Sequence, residues 1–147
     1  MNNARGFTLI ELMIAVAVIG ILSVIAYASY GAYVKRGYRS EAKSVLLQDA
    51  TILERNFTIA NRYDNTMASG GGNGTSGQII AQAPASGTAV YNVTVSFGST
   101  PAMDFTLKAT PTGAMANDEC GPFTLTNTGA QGNPNATGIT PADCWGK

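Results

Sequence analysis

From Leu12 to Val34 the chain runs 23 residues without a charged side chain. As a helix this run would cover about 34 Å, more than the roughly 30 Å of a bilayer core. Nine of its first 14 residues, Leu12 to Ile25, are Leu, Ile or Val. At about 0.3–0.6 kcal/mol each, they favour insertion by about 3–5 kcal/mol. That holds a helix in lipid and still permits its extraction.

The remainder is different in character. Lys plus Arg and Asp plus Glu number nine each, and charged residues make up 12% of the 147-residue chain. That is about half the usual share. A neutral, charge-poor chain lacks the basic field that non-specific nucleic-acid binding requires. Histidine is absent, which removes His-based triads and HExxH zinc sites. There is no paired-carboxylate spacing and no nucleophile–base pair, so no catalytic site and no cofactor are expected.

Three readings of the N-terminal segment compete. Ala26-Tyr27-Ala28 resembles a signal-peptidase site, which would leave a secreted binding module beginning near Ser29, but the apolar run is long for an h-region and Glu11 stands at its head. An ordinary single-span anchor is the second reading. The third rests on Gly6-Phe7-Thr8-Leu9-Ile10-Glu11, preceded by a short polar leader with Arg5. This motif resembles the processing site of type IV prepilins with a class III leader. The resemblance implies cleavage between Gly6 and Phe7 by a cytoplasmic prepilin peptidase, N-methylation of Phe7, and an assembly role for Glu11. In a filament that carboxylate would meet the free amine of a neighbour's Phe7.

Glu11 also has a purely local reading. Thr8-x-x-Glu11 is a capping box, and Phe7 with Leu12 fits a hydrophobic staple. Neither explains an acid kept beside lipid, where ionised groups are costly and usually functional. One departure from the family is Ala28, where relatives often carry proline. The implied melting of the helix between Gly20 and Ala28 loses that support.

Beyond Val34, Lys35, Arg36, Arg39 and Lys43 form a basic cluster, with 35, 39 and 43 at i, i+4 spacing. It reads as a set of side chains snorkelling to headgroups, with DNA contact as the lesser alternative. Counted alone, these charges would place the C-terminus in the cytoplasm. The prepilin motif and the cysteines argue for the opposite orientation. Tyr38, Ala42, Val45, Leu46, Ile52, Leu53 and Phe57 form an apolar stripe, so the helix is expected to reach Ile59 and end near Asn61.

Arg62 to Gly87 reads as loop. Its Gly72-x-Gly74-x-x-Gly77 lacks the strand and helix of a dinucleotide site. Alternating runs follow at Tyr91–Phe97, Phe105–Thr110 and Phe123–Thr126, which predict an antiparallel meander with one apolar face. Cys120 and Cys144 suggest one disulfide outside the cytoplasm. Closing it would gather Asp118, Glu119 and Asp143, a set that calcium could use, although solvated acids are commoner. Cys120-Gly121-Pro122-Phe123-Thr124-Leu125 and Asp143-Cys144-Trp145 resemble the C-terminal disulfide region of PilE-type minor pilins.

The expected fold is α+β and pilin-like, a long N-terminal helix packed on a small antiparallel sheet. The expected division is a leader at 1–6, a transmembrane or filament-core half-helix at 7–34, and a globular domain at 35–147. That domain would comprise a variable loop at 61–87, strands over about 88–127 and a disulfide loop at 120–144. The resemblance implies a structural subunit, a minor pilin, of a type IV pilus serving twitching motility, adhesion or DNA uptake. It would reside in the inner membrane before joining an extracellular pilus. Its partners would be other pilin subunits, the prepilin peptidase, the assembly platform and its ATPase, with DNA as a lesser one. A type II secretion pseudopilin is the alternative that shares leader and rod.

Overall fold

A computed structural model describes residues 7–64, 79–98, 101–136 and 138–146. The leader residues up to Gly6, the Gly72–Gly77 motif and most of the expected 61–87 loop lie outside them. Helix α1 spans Leu9–Ala60. Thr8 caps it: its hydroxyl accepts from Glu11 N–H at 3.3 Å, and its own N–H reaches Glu11 Oε2 at 3.5 Å. This is the reciprocal capping box. At the other end Asn61 adopts φ +54° and donates its N–H to Phe57 O at 2.7 Å, an αL stop. The helix limits match the expected ones to within two residues, because capping chemistry is local.

The chain divides into two compact units after Val34. In the first, no large apolar side chain from Phe7 to Tyr33 is less than 49% exposed. Among its described residues this unit is helix from Leu9 onward, and none of them covers its apolar surface.

The second unit holds the outer part of α1 and a five-stranded sheet. Strands β1 (Gln82–Ala83), β2 (Tyr91–Ser96), β3 (Thr106–Pro111), β4 (Phe123–Thr126) and β5 (Gln131–Gly132) pair antiparallel in chain order. The register sets Tyr91 opposite Pro111, Val93 opposite Ala109 and Leu107 opposite Leu125. Period-two alternation puts Tyr91, Val93, Leu107, Ala109, Phe123 and Leu125 on the buried face. Ala42, Val45, Leu46 and Leu53 of α1 belong to the same core. The meander and its apolar face are as the alternation predicted.

The stretch read as loop from Arg62 to Gly87 is partly core. Tyr63 and Ala83 are buried, and Tyr63 stacks on Phe57 at 4.6 Å and edges onto Phe105 at 4.9 Å. Arg62 and Asp64 form a forked ion pair that holds the Asp64 carboxyl below its usual range. β1 is two residues long, too short for periodicity to reveal. A short helix α2 (Pro141–Trp145), capped by Thr140, closes the described chain.

Candidate assembly helix and disulfide region

Two regions carry the residues singled out by the sequence. The first is the opening of α1. Phe7 is 81% exposed, and Glu11 lies at the third helical position with its carboxylate turned back on Thr8. Capping therefore occupies part of the Glu11 acceptor capacity. From there the helix presents Leu, Ile and Val on all sides. Soluble monomers rarely expose a continuous apolar surface of this extent, and where they do it meets lipid or protein. By length and composition the helix can cross a membrane.

The second region surrounds Cys120–Cys144, which are joined by a disulfide and almost fully buried. The bond ties the segment before β4 to α2. Beside it Arg39 corrects the reading of the basic cluster. Its guanidinium is not directed to headgroups. Nε donates to Asp118 Oδ2 at 2.9 Å and Nη2 donates to Asp118 Oδ1 at 2.6 Å, with Glu119 Oε1 at 3.1 Å. The Asp118 side chain is wholly buried and that of Arg39 is 12% exposed. These bonds, Asp118's first, hold the Arg39 pKa above its ordinary value despite desolvation. Lys43 likewise turns inward and donates from Nζ to Trp145 O at 3.0 Å, at the C-terminal end of α2.

The same geometry corrects the calcium idea. Asp118 and Glu119 already accept hydrogen bonds from Arg39, and the Asp143 carboxylate accepts from the Thr140 hydroxyl at 2.7 Å. Among the described residues no group of three acids, cysteines or histidines is placed to hold a metal.

Asp49 is a residue that the stripe reading passed over. It is fully buried in the α1 face between Leu46 and Leu53. Its Oδ1 accepts the Ile80 N–H at 2.8 Å, so it pins the segment that leads into β1. Burial pushes its pKa up to about 6, with the Ile80 bond opposing. Spacing offered a signal for it: positions 42, 46, 49 and 53 share one helix face, and an acid among apolar neighbours there faces the core. Asn56 lies on that face too and is 2% exposed.

Residues 28–124 match the protein family described as "Type IV minor pilin ComP, DNA uptake sequence receptor", and residues 1–27 match the prokaryotic N-terminal methylation motif. A type IV major fimbrial protein FimA of Dichelobacter nodosus is 32% identical over 111 residues, 69% of each chain. The major pilin PilA of Myxococcus xanthus is 46% identical over 61 residues, 42% of this chain and 28% of that one. A fimbrial protein of Moraxella nonliquefaciens is 57% identical over 42 residues, 29% and 27% of the two chains. The chain thus spans about a quarter of the length of the curated relatives it first matches. Among solved structures, a type IV pilin of Shewanella oneidensis aligns with TM-score 0.48 at 23% identity, over 72% of this chain and 98% of that one. With a family match running from residue 28 into β4 at Thr124, and FimA 32% identical over 69% of each chain, the chain belongs to the type IV minor pilin ComP family.

Proposed function

We propose that the chain is made as a prepilin, cut between Gly6 and Phe7 and methylated at Phe7. Residues 7–34 then hold it in the inner membrane with its N-terminus cytoplasmic and residues 35–147 outside as the globular domain. Prepilin peptidase performs the processing, and the assembly platform with its ATPase moves the subunit into an extracellular pilus beside sister pilins. There the flanks of neighbouring helices replace lipid, and Glu11 answers the Phe7 amine of a neighbour. The observation that carries this reading is the set of large apolar side chains exposed along α1 from Leu9 to Tyr33, which requires an apolar partner of its own length. The methylation motif at residues 1–27 supports the processing step. The match to a minor pilin family supports a pilus over a secretion pseudopilin.

Mass spectrometry of the mature N-terminus tests it. Methyl-Phe7 is expected. A chain beginning at Ser29 would instead mean a discarded signal peptide and a secreted module.

The family's description favours a second reading, capture of DNA by the globular domain. Residues 35–147 carry eight Lys or Arg and eight Asp or Glu, so the domain lacks the electrostatic term that dominates non-specific binding. Recognition would have to come from base and sugar contacts. A duplex-competition assay at physiological salt is expected to separate a preferred sequence from its scrambled version. Equal competition by both would remove sequence reception.

A further inference from the structure

The buried face of the sheet is accounted for, but its outer face is not. Alternation turns Asn92, Thr94 and Ser96 of β2, Thr106, Lys108 and Thr110 of β3, and Thr124 and Thr126 of β4 outward. The register stacks them in rows: Thr94, Lys108 and Thr124 in one, Ser96, Thr106 and Thr126 in the next. Neighbours lie about 4.8 Å apart across strands and about 6.7 Å apart along them. Every one of these side chains is able to hydrogen-bond, none is apolar, none is acidic, and Lys108 is the one cation among them.

The second row ends in a cleft of about 360 Å³, lined by Ser96, Thr106 and Thr126 together with Phe97, Asp104 and Thr128. That volume falls within the range of small-ligand sites. The Thr94 hydroxyl donates to Lys108 O at 3.5 Å and the Ser96 hydroxyl to Thr106 O at 3.3 Å, so both oxygens keep lone pairs for an incoming donor. Asp104 already accepts the Gly98 N–H at 2.7 Å.

We propose that this face and cleft bind a weakly acidic polysaccharide. A protein partner would need an apolar, aromatic centre, which the face lacks. A nucleic-acid strand carries a phosphate about every 3.4 Å, so a six-residue strand of about 20 Å would set about six phosphates against one lysine. A sugar chain fits both the charge and the chemistry. Its hydroxyls meet the threonine oxygens, and its ring C–H groups meet the threonine methyls and Phe97. A carboxylate borne by only some of the rings meets Lys108, while a neutral ring occupies the cleft beside Asp104. This goes beyond the pilin reading and does not depend on filament growth, because it is measured on the unassembled chain.

The test is calorimetric titration of the full chain in detergent micelles with a hyaluronan decasaccharide, a carboxylate on every second ring, at about 150 mM salt. Saturable binding is expected, with weaker binding of an uncharged glucan of equal length. Lys108→Glu should weaken it by about tenfold or more, and Thr94→Val with Thr124→Val by a smaller factor. Lys108 is exposed, and an unchanged circular dichroism spectrum will show that the variant is folded; Lys108→Gln serves should it not be. Absence of binding at millimolar sugar, indifference to both Lys108 variants, or tighter binding of a single-stranded oligonucleotide overturns the proposal.

Discussion

Arg39 and Asp118, 79 residues apart, are joined by a two-pronged bond of 2.9 and 2.6 Å that ties helix α1 to the turn before the disulfide. A guanidinium fork matches a carboxylate as no lysine does. Because the Asp118 side chain is wholly buried, Arg39→Ala would strand a charge without a counterion. Breaking such a pair costs about 3–5 kcal/mol. Chemical denaturation of Arg39→Ala should therefore show a loss near 3 kcal/mol, and Arg39→Lys should recover only part of it. A loss under about 1 kcal/mol, typical of a surface pair, would refute the assignment.

The Cys120–Cys144 bond closes a loop with a sequence separation of 24. On the chain-entropy account it contributes about 3 kcal/mol. Replacing both cysteines with serine should lower the melting temperature by several degrees and loosen α2 before the sheet. Hydrogen exchange at Trp145 and its neighbours would report that order. Simultaneous loss of protection at Leu107 would mean the disulfide supports the whole domain.

Asp49 gives the domain a pH dependence of definite sign. Its folded pKa of about 6 lies above its unfolded value of 3.8, so the native state holds the proton more tightly. Stability should fall as pH rises between about 4 and 6 and then level off. The size is on the order of 2–3 kcal/mol. Asp64 works in the opposite direction and lower on the scale, since Arg62 depresses its pKa and its contribution is lost in acid. Asp49→Asn keeps an acceptor for the Ile80 N–H and should abolish the slope. Identical pH profiles for the two proteins would show that Asp49 does not titrate in this window.

Capping and assembly at Glu11 can be separated. Glutamine serves as well as glutamate in the third position of a capping box. Glu11→Gln should keep the helix start, visible as unchanged amide protection at Glu11 and Leu12, while pilus yield collapses for want of the charge. Normal filaments from this variant would reduce Glu11 to a cap.

What could be read without the structure was governed by short-range rules. The apolar run to Val34, the Thr8–Glu11 box, the αL stop at Asn61 and the three alternating strands each depend on residues a few positions apart, where sterics and periodicity act directly. The stripe through Ala42, Leu46 and Leu53 was legible for the same reason. Arg39, Lys43 and Asp49 were not. Their meaning depends on groups brought from 31 to 102 positions away, at Asp118, Trp145 and Ile80. A charge on a helix looks alike in sequence whether it faces solvent, lipid or a buried counterion. Only the folding of the sheet and α2 onto the outer half of α1 removed water from these side chains, and the cost of leaving them unpaired there selected their partners.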